Sequence, residues 1–179
     1  LTYSLPDIPG GFDFDACTTD ALLTRMDARD GKITLPDGVS YEMMILPRNG
    51  DMTLDALQKI ASMVKAGVKV YGPKPISCNS GKELEEEAVF QKLANELWGE
   101  KPEASGTNQV GKGQVYWGIP LAKAIEQANI IPDIQMTKGD TKASMIYFAH
   151  RELADANIYF LDNHKEEHED NIFTFASRG

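Results

Sequence analysis

The hydrophobic pattern of residues 39–73 is the clearest structural feature of the chain. It opens with a short apolar run, VSYEMMILP, which has the length of a β-strand and ends at a proline. It continues with TLDALQKIASMVKAG, where apolar residues recur at helical spacing between a threonine at the N-cap and a glycine at the C-terminus. It closes with a second β-branched run, VKVYGP. A strand, a helix and a strand joined this tightly predict a right-handed crossover between two parallel strands.

The pattern on either side of this unit predicts further short elements. Upstream we expect a Pro/Gly-rich linker at residues 1–11, a short strand at FDFDA, a helix capped by Thr18 or Thr19, and a hairpin that turns at Pro36, Asp37 and Gly38. Downstream we expect an amphipathic helix over residues 82–98, a mobile surface loop over 99–113, a strand at QVYWG and a helix that starts near Pro120.

The pattern changes at Pro132. The runs SMIYFAHRE, ANIYFLDN and NIFTFAS follow one another with short connections, which is typical of an antiparallel sheet. We therefore predict an α/β domain over residues 12–131, with helices on both sides of a parallel sheet, and a β-rich segment over 132–179. The second part would be the start of a β-module or a set of added strands.

The composition of the chain argues against nucleic acid and membranes as binding partners. The chain has 27 acidic and 18 basic residues and a net charge of −9, which disfavours binding to nucleic acid or to anionic membranes. It contains no apolar run long enough to span a bilayer, so we expect no membrane insertion. It begins LTYSLPDIPG and ends FTFASRG, which we interpret as cuts through a longer polypeptide.

Two acidic residues are candidates for a glycosidase carboxylate pair. Asp13 and Asp15 would share one face of the FDFDA strand, about 7 Å apart by strand rise. That separation suits a mechanism that uses two carboxylates. Against this, near neighbours on one strand rarely flank a sugar ring, and solvent-facing acids are ordinary on an edge strand.

Trp117, with Tyr147, is a candidate carbohydrate platform, and His150 and Arg151 stand beside an apolar strand where they could reach a ligand. The alternatives are that Trp117 covers the sheet and that the His-Arg pair is a hydrogen-bonded strand end. We therefore consider Asp13, Asp15, Trp117, His150 and Arg151 as candidate substrate-binding residues, and we predict no metal site.

Three weaker motifs lack the structural context that their chemistry needs. The segment from His164 to His168 matches H-x-x-E-H, but it lies between two strand-like runs and is better explained as the tip of a hairpin. The segment GTNQVGKG resembles a phosphate-binding loop but precedes a strand and ends in glycine. Cys78 follows a predicted parallel strand but has no flanking nucleophile elbow. With Cys17 it makes two cysteines, too few for a disulfide framework.

A series of segments resembles the large α-L-rhamnosidases of glycoside hydrolase family 106. In order, they are GFDFDACTTDALL, DGKITLPDGVSYEMMILP, MTLDALQKIASMVKAGVKVYGPKP, FQKLANELWG, GKGQVYWG and AHRELADANIYFLDN. The resemblance spans nearly the whole chain with matching spacing. It implies a flavodoxin-like or class I amidotransferase-like three-layer domain, followed by a β-rich module, in the part of the enzyme after the catalytic (β/α)8 barrel.

The resemblance also implies what the parent enzyme does. It implies exo-hydrolysis of terminal α-L-rhamnosyl residues by an inverting mechanism that uses carboxylates of the barrel. It also allows for a calcium ion in the parent enzyme. It further implies a secreted, periplasmic or cell-surface location. No catalytic residue of the barrel maps onto this chain, and we expect no cofactor on it.

The leading hypothesis is therefore a non-catalytic accessory α/β domain of a larger glycosidase. Its partners would be the catalytic barrel and β-modules of the same polypeptide and the carbohydrate substrate of the parent. The alternatives are a carbohydrate-binding module and, with less support, a Cys-dependent amidotransferase-like enzyme at Cys78.

Overall fold

A computed structural model describes residues 7–48, 50–78, 84–138, 146–153, 155–166 and 170–176 of the chain. The chain divides into two compact units. Unit 1 comprises Leu1–Asp7 and Cys17–Ala128, and unit 2 comprises Ile8–Ala16 and Asn129–Gly179. No helix within the described ranges combines the length and the apolar composition needed to cross a bilayer.

The described residues of unit 1 form helices and short strands. The helices are α1 (Thr19–Arg25), α2 (Leu54–Ala66), α3 (Leu84–Trp98) and α4 (Leu121–Gln127). The strands are β1 (Asp27–Arg29), β2 (Lys32–Thr34), β3 (Ser40–Tyr41), β4 (Met43–Ile45), β5 (Asp51–Met52), β6 (Lys69–Tyr71), β7 (Ser77–Cys78), β8 (Gly106–Val110) and β9 (Gly113–Trp117).

The helix boundaries follow local capping chemistry. Thr18 precedes α1, and its hydroxyl accepts a hydrogen bond from the Ala21 N–H at 3.2 Å. Thr53 caps α2 in the same way, through the Ala56 N–H at 3.3 Å. Gly67 ends α2 with φ at 125°, a conformation that residues with a Cβ avoid. The predicted caps at Thr18, Thr53 and Gly67 are confirmed.

The main sheet of unit 1 has the strand order β4-β6-β9-β8. Strands β4 and β6 are parallel, with Met44 opposite Val70, as the strand–helix–strand pattern predicted. Strands β6 and β9 are also parallel, and β8 is antiparallel to β9. A β1-β2-β3 sheet, which includes the predicted hairpin around Gly38, and the parallel pair β5-β7 lie beside it.

The predicted flavodoxin-like, amidotransferase-like three-layer fold is wrong. The parallel strands β4, β6 and β9 advance across the sheet in one direction, whereas a doubly wound sheet reverses direction at a switch point. Two right-handed crossovers in one direction leave their helices on one face, and α2 and α3 pack against each other. The result, among the described residues, is a mixed α/β unit of small sheets: β1-β2-β3 is antiparallel, β4-β6-β9-β8 is mixed and β5-β7 is parallel.

The predicted mobile loop at residues 99–113 is also wrong. Its second half is β8, which forms a hairpin with β9 through a turn at Gly111 and Lys112. The backbone N–H of Lys112 donates to the Lys65 carbonyl at 3.1 Å, and a Cβ on Gly113 would lie 2.2 Å from the Val64 carbonyl oxygen. The glycines that suggested flexibility are therefore explained by close packing of the hairpin on the C-terminal end of α2.

One hydrophobic cluster joins the elements of unit 1. Its fully buried members are, among others, Leu57, Ile60, Val64, Val70, Phe90, Leu97 and Val115. These residues come from α2, β6, α3 and β9, so the periodicity of each element is directed toward a common core.

Unit 2 contains four strands in its described part. They are β10 (Ile134–Lys138), β11 (Ile146–Glu152), β12 (Asn157–Asn163) and β13 (Ile172–Phe175). Strand β10 pairs antiparallel with β13, and β11 pairs antiparallel with β12. The predicted antiparallel arrangement is confirmed. Since β13 pairs with β10 and not with β12, the segment that starts at His164 connects two sheets, and the predicted hairpin tip is wrong.

The N-terminal part of unit 2 has no strand. The FDFDA segment, residues 12–16, is not part of a strand, so the predicted strand is wrong. The carbonyl of Gly11 accepts from the Asp133 N–H at 2.9 Å and from the Ile134 N–H at 3.3 Å. This part of the chain is therefore tied to the start of β10. The two units divide between Ala128 and Asn129, whereas the predicted boundary is at Pro132.

Candidate functional site

In unit 2, His150 on β11 has polar partners at both of its ring nitrogens. Its Nδ1 lies 3.2 Å from Oδ1 of Asp133, and its Nε2 lies 2.9 Å from Oδ1 of Asn157. Only 9% of the His150 side chain is exposed. The antiparallel register places Tyr159 of β12 directly opposite His150, and their rings stack with centroids 4.2 Å apart and planes within 4°.

Both nitrogens of His150 face oxygen acceptors. A ring protonated on both nitrogens satisfies Asp133 and Asn157 together, and a neutral ring does so when the Asn157 amide is turned to donate. In either form no ring nitrogen is directed at open solvent with a free lone pair. The arrangement therefore links His150 of β11 to Asn157 of β12 and to Asp133, the residue before β10.

Tyr159 extends this cluster toward β13. Its hydroxyl donates to the Ala176 carbonyl at 2.8 Å, and its ring centroid lies 4.6 Å from that of Phe175. Asp133, His150, Asn157, Tyr159 and Phe175 thus connect the two antiparallel pairs of unit 2. We call this set the His150 cluster.

The other candidates in unit 2 are exposed. Asp13 and Asp15 lie in the FDFDA segment, and Oδ1 of Asp13 accepts from the Phe14 N–H at 2.8 Å. Arg151 follows His150 on β11 and is exposed, opposite Ile158 of β12. The partners of His150 are Asp133, Asn157 and Tyr159, which the sequence did not indicate.

Trp117 lies in unit 1, where it ends β9. The ring is buried in the hydrophobic cluster, and Nε1 donates to the Glu103 carbonyl at 3.0 Å. A sugar platform needs an exposed aromatic face, whereas this ring is covered. Trp98 of α3 is bound similarly, through the Gly72 carbonyl at 3.0 Å.

The carboxyl ends of the parallel strands carry Lys74 and Cys78. The Lys74 ammonium donates to Oδ1 of Asn95 at 2.6 Å and to the carbonyls of Gly99 at 2.7 Å and Glu100 at 3.0 Å. Burial lowers the pKa of Lys74 from its ordinary value, and the charge of Glu100 opposes that shift. Cys78 is in no disulfide, and its backbone N–H donates to Oε2 of Glu87 at 3.0 Å.

The H-x-x-E-H segment is only partly described, because His168 lies outside the described residues. His164 Nε2 lies 2.8 Å from Oδ2 of Asp162, and its ring meets that of Tyr147 edge-on with centroids 4.5 Å apart. Among the described residues, no three or more His, Cys, Asp or Glu side chains come together in a group that could hold a metal ion.

Sequence reasoning selected His150 but missed Asp133, Asn157 and Tyr159. The sequence does contain one sign of this cluster. Apolar and polar residues alternate along both strands, which places His150 and Tyr159 on the buried face of each strand. The pairing register was not available, because two strands can slide by two residues without changing their faces.

Comparison with known proteins identifies the family. The model of glycoside hydrolase family 106, α-L-rhamnosidase, matches residues 1–179. The chain belongs to that family. The resemblance seen in the sequence is thus confirmed over the whole length of the chain.

Two relatives give the scale of the match. The solved structure of a rhamnosidase from Novosphingobium sp. PP1Y superposes with a TM-score of 0.83 at 27% identity, covering 93% of this chain and 16% of that one. A protein of Formosa agariphila named "Putative beta-glucuronidase" is 30% identical over 167 residues, 92% of this chain and 13% of its own length. The chain therefore spans less than a fifth of the length of these relatives.

Proposed function

We propose that this chain is a non-catalytic supporting portion of a larger glycoside hydrolase that removes terminal sugar residues, with α-L-rhamnosyl groups as the expected substrate. Its partners are then the catalytic domain and other β-modules of the same polypeptide, and its location is outside the cell or in the periplasm. A catalytic barrel with its own carboxylates, and any calcium ion, would belong to the remainder of that polypeptide.

The observation that carries the proposal is that two of the candidate side chains, His150 and Trp117, already serve this chain's own structure. Both nitrogens of His150 meet neighbouring oxygens, and the Trp117 indole is buried and bonded to the Glu103 carbonyl. A reaction centre needs groups whose bonding capacity is available to a substrate. The match to only 13% and 16% of two relatives supports the same proposal.

The names of the two relatives favour a role that does not depend on one sugar. One is called a rhamnosidase and the other carries the name of a β-glucuronidase, yet both match more than nine-tenths of this chain. A pocket that selects one sugar should differ between enzymes named for different sugars. A portion that both share is therefore more readily explained as a structural support for the catalytic domain.

The test is a hydrolysis assay on the purified 179-residue chain with 4-nitrophenyl α-L-rhamnopyranoside and 4-nitrophenyl β-D-glucuronide. We expect no turnover of either above the buffer rate. Turnover that disappears in Asp13→Ala or Asp15→Ala would overturn the proposal and place the reaction on this chain.

A calorimetric titration with rhamnose-containing oligosaccharides tests the binding-module alternative. The supporting role predicts no heat of binding. Saturable heat that Tyr147→Ala abolishes would instead support a carbohydrate-binding module.

A further inference from the structure

The β11-β12 hairpin has one covered face and one open face. Side chains alternate along each strand, so Phe148, His150, Tyr159 and Leu161 share the face that carries the His150 cluster. That face is tied to β13 through the Tyr159 ring and hydroxyl. The opposite face carries Tyr147, Ala149 and Arg151 of β11 and Ile158, Phe160 and Asp162 of β12. We call it the outer face.

The outer face is apolar at its centre and exposed. Tyr147 is 58% exposed, Ile158 is 52% exposed and Phe160 is 66% exposed. The register places Phe160 opposite Ala149 and Ile158 opposite Arg151, so these apolar groups are contiguous across the hairpin. A two-stranded hairpin is marginal without a hydrophobic face packed against another layer, and contiguous exposed apolar groups mark an interaction surface.

The two charged residues of the outer face, Asp162 and Arg151, differ in their pairing. Asp162 is already engaged by His164 at 2.8 Å. Arg151 is exposed, and among the described residues no carboxylate pairs with its guanidinium. A covering surface would therefore be apolar opposite Phe160 and would carry an acidic side chain at the Arg151 end.

We propose that the outer face is covered by a β-sheet from another part of the same polypeptide, with an apolar face against Ile158 and Phe160 and a carboxylate paired to Arg151. This rests on the proposed function, in which the chain is one portion of a longer enzyme. The relatives extend far beyond the matched region and so have chain available for such a layer. A third layer would complete a sandwich around the β11-β12 hairpin.

Thiol labelling tests the covering directly. Phe160→Cys is made in a Cys17→Ser, Cys78→Ser background, both in the 179-residue chain and in the protein encoded by the complete reading frame around it. Lys123→Cys is the matched control, because the Lys123 side chain is 65% exposed and lies outside the outer face. Maleimide labelling is followed by mass spectrometry under native conditions.

We expect rapid labelling of Phe160→Cys in the 179-residue chain and labelling slower by about tenfold or more in the longer protein, since each 1.4 kcal/mol of docking reduces the open population tenfold. Lys123→Cys should label alike in both. Equal labelling of Phe160→Cys in both proteins overturns the inference, as does equal protection at both positions.

Two further readouts separate this inference from its competitors. Arg151→Glu should lower the Tm of the longer protein and leave that of the 179-residue chain unchanged, whereas Arg151→Lys should have the smaller effect. A concentration-dependent dimer of the 179-residue chain that protects Phe160→Cys would identify a second copy as the occupant and overturn the inference.

Different results would contradict the proposed function and the covering sheet. Turnover by the 179-residue chain, or a reading frame that adds nothing to it, contradicts the supporting role. An inactive chain within a longer protein whose outer face labels freely contradicts only the covering sheet.

Discussion

At the scale of single residues, the carboxylate of Glu87 accepts hydrogen bonds from its own helix and from a neighbouring strand. Its Oε1 accepts from the Gln91 amide at 2.7 Å, and its Oε2 accepts from the backbone N–H of Cys78 at 3.0 Å. These bonds, that of Gln91 first, hold the pKa of Glu87 below its ordinary value. Glu87 thereby joins the first turn of α3 to β7. A negative charge in the first turn of a helix is also favourable, because it lies near the positive end of the helix dipole.

This predicts a pH-dependent contribution to stability. Because the folded pKa of Glu87 is lower than the unfolded one, the stabilisation is complete above about pH 4.3, the unfolded value. It is lost as the pH falls through the folded pKa. Glu87→Gln should therefore lower the Tm at pH 7, with a difference that shrinks toward pH 3, as measured by circular dichroism.

The matched control for this prediction is Glu85→Gln in the same helical turn. Glu85 is exposed and has no hydrogen bond in the described structure, so its substitution should change the Tm little at either pH. An equal loss at pH 7 and pH 3 for Glu87→Gln would show that its charge has no part in the contact.

At the scale of elements, α3 is fixed at its C-terminal end by side chains from outside the helix. The Lys74 ammonium bonds Asn95 and the carbonyls of Gly99 and Glu100, and the Asn108 amide donates to the carbonyls of Glu96 and Leu97, each at 3.0 Å. The last carbonyls of a helix lack partners within it and favour positive charge. The connection after β6 and strand β8 therefore supply partners for the carbonyls at the end of α3, which is followed by Gly99 with φ at 89°.

Lys74→Met should destabilise unit 1 by about 1–3 kcal/mol, since it keeps most of the side-chain volume but leaves the carbonyls unpaired. Urea denaturation followed by helical circular dichroism measures the loss. Lys92→Met is the control, because Lys92 lies on the same helix, is exposed and makes no hydrogen bond in the described structure. A loss no greater than that of Lys92→Met would refute the capping role.

At the scale of the whole molecule, one hydrophobic core joins α1, α2 and α3 to the sheets of unit 1. Leu57 is fully buried in it and lies on α2, the helix that connects β4 to β6 in the organising crossover. Strands of two to five residues have little stability of their own, so the sheet depends on this shared apolar contact.

Leu57→Ala should therefore cost about 2–5 kcal/mol of folding free energy. Hydrogen exchange should rise together in α2, β6 and β9, because their protection depends on the same core. Ile76→Ala removes a branched side chain that is 74% exposed in the same unit and should cost far less. Equal effects of the two substitutions would show that the core is not organised around α2.

The candidate site shows where sequence reasoning succeeds and where it stops. His150 was selected from its place beside an apolar strand, yet its contacts depend on Asp133 at the start of β10 and Asn157 and Tyr159 on β12. Trp117 is a candidate for a carbohydrate platform by residue type, whereas its ring packs in the hydrophobic cluster. Residue type suggests a chemical capacity, but neighbours in space decide whether that capacity is available.

The sequence by itself determined the local elements: the caps at Thr18 and Thr53, the stop at Gly67, the parallel crossover around α2 and the change to antiparallel strands after Pro132. These follow from periodicity and capping, which act over a few residues. Only the tertiary structure decided the one-directional strand order, the pairing of β13 with β10 and the hairpin at Gly111. Those choices depend on contacts between residues far apart in the chain, and no local pattern encodes which distant strand becomes the neighbour.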